Sequence, residues 1–131
     1  MREISLRTER RTQLVDITRQ VESALDGGGG AAALVFVPHT TAGVTINEHA
    51  DPAVARDFER GLERMVADGW GWEHVEEGEE NAPSHLRAAL MSPQVLVPLR
   101  DGRLALGTWQ GIFFCEFDGP RERRVYVSAL A

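Results

Sequence analysis

The stretch from residue 31 to residue 52 limits what this chain can fold into more than any other, because within it one strand must stop, another begin and a helix open. Residues 31–37 are an apolar run with β-branched and aromatic members, the composition of a buried strand. Pro38 ends the run because it has no N–H to give to a ladder. Residues 41–46 then alternate, with Ala42, Val44 and Ile46 on one face and Thr41, Gly43 and Thr45 on the other, the period of a half-buried strand. The two strands read as a hairpin with His39 and Thr40 at its tip. Asp51-Pro52 opens a helix, since the aspartate can accept from free backbone N–H groups and the missing donor of proline costs nothing at the first helical position. An imidazole, two hydroxyls, an amide and two carboxylates (His39, Thr40, Thr41, Asn47, Glu48 and Asp51) are thus gathered in one short segment.

The rest of the chain supplies further strands and helices. Ile4 and Leu6 alternate with polar neighbours as in an edge strand. From Asp16, a candidate N-cap, Ile17, Val21, Ala24 and Leu25 recur at helical spacing. The glycines at 27–30 follow that helix as a cap and turn, whereas a phosphate loop precedes its helix. After Pro52, the residues Val54, Phe58, Leu62, Met65 and Val66 form a helical stripe, with Arg56, Asp57, Glu59, Arg60, Glu63 and Arg64 on the opposite, solvated face. Trp70-Gly71-Trp72 suits packing or stacking on a planar heterocycle. The acidic residues Glu76, Glu77, Glu79 and Glu80 read as a loop. Ser84 is placed to cap a short helix through Leu90, which Ser92-Pro93 stops. Val95-Leu96-Val97 is a short strand and Asp101-Gly102 a hairpin turn. Residues 104–117 read as a long strand with Trp109, Gly111, Phe113, Cys115 and Phe117 on one face, and Val125, Val127 and Ala129 mark a last strand. Strands mostly in hairpins, with two or three helices, predict an α+β fold built on a mostly antiparallel β-sandwich.

At 131 residues a single domain spanning 1–131 is expected. No apolar run approaches the roughly 20 residues of a membrane span, and the amino terminus lacks the apolar core of a secretory signal, so a cytoplasmic location is expected. A net charge of −6 argues against binding to nucleic acid or an anionic membrane. The chain contains no lysine, which excludes a Schiff base and the lysine of a P-loop, so any phosphate must be held by arginine, backbone N–H groups or a metal. Cys115 is the only cysteine, which excludes an internal disulfide, and between Phe113 and Phe117 it reads as a small hydrophobe.

Three of the four histidines, His39, His74 and His85, sit beside polar, turn-like sequence. Three imidazoles meeting with an open fourth position make a catalytic zinc-type site. No His-Glu-x-x-His or other compact ligand pattern occurs, so on spacing alone hydrogen-bonded or surface histidines are the better fit. Glu48 and Asp51, with Glu77 and Glu79 or Glu80, suit a magnesium ion that keeps waters and substrate phosphates, although Asp51 serves equally as a helix cap. Thr40 and Thr41 suit phosphate oxygens or the closing of a turn. Trp109-Gln110 pairs a stacking surface with an amide able to read a pyrimidine edge, or else packs in the core.

The run Pro38-His39-Thr40-Thr41-Ala42-Gly43-Val44-Thr45-Ile46-Asn47-Glu48, with Asp51-Pro52 after it, resembles the YjbQ-like family of secondary thiamine-phosphate synthases. Glu77-Gly78-Glu79-Glu80-Asn81-Ala82-Pro83-Ser84-His85-Leu86 and Gly102-Arg103-Leu104-Ala105-Leu106-Gly107-Thr108-Trp109-Gln110-Gly111 extend the resemblance over nearly the whole chain. It implies a homotrimer and an enzyme that joins an aminopyrimidine pyrophosphate to a thiazole phosphate, releasing pyrophosphate. It matches His39, His74 and His85 to recurrent histidines, which would hold a divalent metal (zinc or magnesium) or phosphate. It gives catalytic roles to His39, Glu48 and Asp51, and substrate contact to Thr40, Thr41, Asn47, Asn81, Trp109 and Gln110. His49 falls where the family usually carries asparagine and stays outside the set. The same residues leave open a metal-dependent hydrolase or transferase on another phosphorylated metabolite, and a trimer that binds a metabolite or metal without turnover.

Overall fold

The computed structural model describes residues 1–76 and 79–131, with 76, 79 and 80 described by their backbone alone. In chain order the elements are β1 (Arg2–Arg7), β2 (Gln13–Asp16), α1 (Thr18–Leu25), β3 (Ala32–Phe36), β4 (Ala42–Glu48), α2 (Pro52–Met65), β5 (Val75–Glu76), β6 (Glu79–Glu80), α3 (Ala82–Met91), β7 (Gln94–Arg100), β8 (Arg103–Leu104), β9 (Gln110–Glu116) and β10 (Glu122–Leu130). One antiparallel sheet runs β1-β10-β3-β7-β8 and a second runs β2-β9-β4. β5 and β6 pair as a short ribbon where a loop was expected, and Glu77 lies outside the described residues. The expected α+β class is found, with two antiparallel sheets and three helices among the described residues.

The expected hairpin between residues 31–37 and 41–46 does not form. β3 lies between β10 and β7, with Val35 opposite Val127 and Val95, whereas β4 pairs with β9 in the other sheet, with Val44 opposite Phe114. Each strand finds an apolar partner from elsewhere in the chain, and Pro38 breaks the ladder between them. The Val37 N–H still bonds to the first sheet's side, to the Pro93 carbonyl at 2.7 Å, and the chain then crosses between the sheets. His39 and Thr40 therefore sit on a crossing segment.

Two cores flank β9, because successive side chains of a strand point to opposite faces. Ile112 and Phe114 join Ile17, the residue that precedes α1, Val21 and Leu25 within that helix, and Val35, Val44, Val125 and Val127 in one. Phe113 and Cys115 join Phe117, Leu62 of α2 and Ala88 of α3 in the other. Cys115 thus packs as a hydrophobe, and burial pushes its thiol far up in pKa. The strand is shorter than expected: Trp109 lies in a turn, 63% exposed, and Gln110 Oε1 accepts the Gly107 N–H at 2.8 Å to close that turn.

Local chemistry accounts for most of the element ends. Asp51 caps α2 through the Ala53 N–H at 2.9 Å, with Pro52 at the first helical position. Asp101 and Gly102 both take positive φ, 53° and 76°, in the tight β7–β8 turn. Asp16 ends β2, a strand with no clear sequence signal, and accepts from the Thr18 N–H and hydroxyl at 3.0 and 2.6 Å. The inward face of α2 is rotated from the expected stripe: Met65 is 65% exposed, while Glu59 is buried. Glu59 accepts from both Arg10 Nη groups and from the Leu14 N–H at 2.9 Å, a backbone donor that β2 leaves at the helix surface and that needs a partner. Trp70 and Trp72 stack on each other, ring centroids 5.5 Å apart.

α3 starts at Ala82, earlier than a Ser84 cap would place it, and Ser84 instead donates to the Phe117 carbonyl at 2.5 Å. Buried Arg87 donates to the Val66 carbonyl from both Nε and Nη2, tying α3 to the end of α2. The C-terminal turn of α3 rests on β4 at Gly43, where an added Cβ would lie 2.8 Å from the Ser92 oxygen and 3.0 Å from that of Ala88. Both obstacles are backbone, so a side chain there must push the helix away. Gly43→Ala is expected to cost about 1–3 kcal/mol of stability, the usual range for overpacking, read as a lower denaturant midpoint; an unchanged midpoint would mean that α3 is not seated on β4.

Candidate functional site

The crossing segment delivers His39, Thr40 and Thr41 to a cleft of about 390 Å³. Its other walls are His74, Asn81 and His85, from before and within α3, and Asp118 and Arg121 from the turn before β10 with Arg123 at its start. All three histidines matched by the resemblance line this one space. The rings of His74 and His85 meet edge to face, centroids 5.1 Å apart and planes at 68°.

Behind the cleft lies a buried ion pair. Glu116, 0% exposed, accepts from Arg123 through both Nε, at 2.8 Å, and Nη2. It also accepts from the Thr8 hydroxyl at 2.7 Å and from the backbone N–H groups of Phe117 and Asp118 at 3.1 Å each. Burial alone would raise the Glu116 carboxyl, but the bonds from Arg123, Thr8 and Asp118 outweigh it and hold the group below its ordinary 4.5. Arg123, 5% exposed, also donates to the Thr41 hydroxyl at 2.8 Å, which fixes the crossing segment to β10. Among the described residues Arg123 Nη1 has no partner, so one edge of the guanidinium is left over at the cleft.

His39 Nε2 accepts the Arg124 backbone N–H at 3.0 Å. Only a ring nitrogen without a proton can accept, so the neutral ring carries its proton on Nδ1. Burial, then the charges of Arg123 and Arg124, lower the His39 pKa and keep it neutral near pH 7. His39 thus offers an N–H donor. Arg121 pairs with Asp118 at 2.9 Å on the rim.

These donors fit an anion better than a metal. Among the described residues no three His, Cys, Asp or Glu side chains are grouped to hold an ion, and the Nε2 lone pair of His39 is spent on a backbone donor.

The remaining expected site residues are elsewhere. β4 carries the chain from Ala42 to Glu48, about 20 Å at roughly 3.3 Å per residue. Asn47, Glu48 and Asp51 lie at its far end, where Asn47 accepts the Glu48 N–H, Glu48 the Asp51 N–H and Asp51 the Ala53 N–H. Gln110 lies opposite Glu48, next to Trp109. None of these five lines the histidine cleft. His49 is there too, its Nδ1 2.7 Å from Asp16, its ring in the space a side chain at Gly111 would fill. The arginines went unrecognised as site residues. For Arg123 the signal was a charge on the apolar face of an alternating strand, two residues before Val125 and four before Val127.

Fold and cleft together define an α+β protein of two main sheets with an arginine- and histidine-lined cleft where the chain passes between them. The chain belongs to the YjbQ-like family: the family model described as UPF0047 protein YjbQ-like matches residues 2–131. It is 42% identical over 134 residues to the UPF0047 protein YugU of Bacillus subtilis, covering 99% of this chain and 98% of that one. A UPF0047 protein of Archaeoglobus fulgidus is 44% identical over 128 residues, 98% of this chain and 99% of that one. The crystal structure of a YjbQ/UPF0047 family protein from Clostridium acetobutylicum superposes with a TM-score of 0.92 at 45% identity, covering 99% and 100% of the two chains. These names describe a family and state no reaction.

The Glu116 pair sets an acid limit. A carboxyl held below 4.5 contributes stability that is complete above about that pH and is lost as pH falls through its folded value. Glu116→Gln is expected to cost about 3 kcal/mol or more at neutral pH, because Arg123 is left buried without its counter-charge. The variant's stability should also fall less steeply than wild type below pH 4.5. Equal acid slopes in urea melts across pH 3–7 would contradict this assignment.

Proposed function

We propose that this chain is an enzyme acting on phosphorylated small molecules, of the thiamine-phosphate synthase kind: it joins an aminopyrimidine pyrophosphate to a thiazole phosphate. The observation that carries the reading is the convergence of Arg121, Arg123, Thr40 and the imidazoles of His39, His74 and His85 on one cleft of ligand size. In such a reaction the bond from the pyrimidine's methylene carbon to the pyrophosphate oxygen breaks, and its electrons leave with pyrophosphate. The thiazole nitrogen supplies the pair for the new C–N bond. The protein's task is to hold and neutralise the departing anion, which prearranged donors do best. Arg123, locked by Glu116, and the Nδ1–H of His39 are such donors. Among the described residues the lining includes no Trp, Phe or Tyr, so the cleft suits the phosphate end of a substrate better than its heterocycle.

A homotrimer belongs to the same reading, and the exposed Met65 and Leu90, at 65% and 54%, offer it apolar surface to cover. The rival readings differ in outcome. Release of phosphate or pyrophosphate from one substrate alone would indicate a hydrolase, and saturable binding without product a binding module.

The test is steady-state formation of thiamine phosphate by the purified chain and by His85→Asn and Arg121→Gln, each checked for fold by circular dichroism. Each variant is expected to lower kcat/KM about 100-fold, the usual effect of losing one donor to a developing charge. No product from wild type with both precursors, or full activity in both variants, would end this reading.

A further inference from the structure

A second cleft, of about 530 Å³, adjoins the first, and His39 and Arg123 line both spaces. Its walls come from the edge of the first sheet, where β1 pairs with β10 so that Ser5 faces Arg124, Leu6 faces Arg123 and Arg7 faces Glu122. The hydrogen bond from the Arg124 N–H to His39 Nε2 ties the crossing segment to β10 and holds the imidazole where it lines both compartments.

The charge along this groove opposes that of the whole. In a chain of net charge −6, the two clefts hold Arg7, Arg121, Arg123 and Arg124 against Asp118 and Glu122 on their walls. The second cleft's exposed cations are only loosely engaged: Arg7 is 3.8 Å from Glu122, and Arg124 is 3.7 Å from Glu3. Solvated pairs of this length are weak and give way readily to a better-shaped anion. Arg123 is different in kind, a buried guanidinium with Nη1 unpartnered among the described residues, placed where both compartments reach it.

We infer that the second cleft is a second phosphate subsite, so that the groove holds two phosphate-bearing groups at once, one in each of the two compartments that His39 and Arg123 line. This rests on the reading of the first cleft as a phosphate compartment. It makes the substrates a pair of phosphorylated molecules, or one molecule phosphorylated at both ends.

Equilibrium dialysis of radiolabelled inorganic pyrophosphate against the full chain tests it. Wild type should bind two equivalents per chain. The double variant R7Q/R124Q keeps the Arg124 backbone N–H, and should lose one equivalent while retaining the other within about twofold in affinity. H85N/R121Q should lose the complementary one. A linear alkane bisphosphate binding one per chain, at least 100-fold tighter than phosphate, would assign the groove to a single doubly phosphorylated molecule; two independent equivalents of a monophosphate would assign it to two reactants. A single equivalent in wild type that R7Q/R124Q leaves intact would overturn the second subsite and leave the proposed function standing. Binding that H85N/R121Q leaves untouched would overturn the first cleft's role instead.

Discussion

A carboxylate with no exposure to water is tolerable only if its charge is answered on every side, and Glu116 is answered by five hydrogen bonds, two of them from Arg123. Those bonds gather β9, β10, the residue after β1 and, through Thr41, the segment that passes between the sheets. Replacing the pair with apolar side chains would serve the core at least as well. What an apolar replacement could not do is present a fixed guanidinium edge where the crossing segment turns. Through Thr41 the pair also fixes the crossing segment that brings His39 to the cleft, while α3 carries His85 there.

The polar segment at residues 38–52 is divided by its own secondary structure. β4 behaves as a rod with one end at the cleft and the other in the opening of α2. Near Thr41 the polar groups face a cleft, whereas near Glu48 they are consumed by the turn and cap that start α2. Residues that are close in sequence are separated by the extension of a strand, and residues far apart, such as His39 and Arg124, are brought within a hydrogen bond by sheet pairing.

What could be read from the sequence follows the same divide between local and distant partners. The Asp51-Pro52 cap, the Asp101-Gly102 turn and the packing of Cys115 depend on neighbours in the chain, and each was legible. The pairing of β3 and β4 with other strands was not, since two apolar strands in succession look like a hairpin until their partners are known. Glu59 looked solvated because its reason for burial, the Leu14 N–H, lies 45 residues away. The histidines could be picked out by resemblance, but no spacing rule could show that His39, His74 and His85 line one space. Arg123 stood in view on the apolar face of the last strand, and a charge there asks for a buried partner, which Glu116 supplies from seven residues earlier at the end of β9.

Strand β9 sends Ile112 and Phe114 into one core and Phe113 and Cys115 into the other, and both of its edges are paired, to β2 and to β4. It is therefore common property of the two halves of the molecule. Neither half has a boundary along which it can open while the other stays folded, because opening either one strips a face of the strand the other is built on. The consequence is kinetic as well as thermodynamic: the chain should lack a partly open state in which one core melts first, and the cleft should persist until the whole fold is lost.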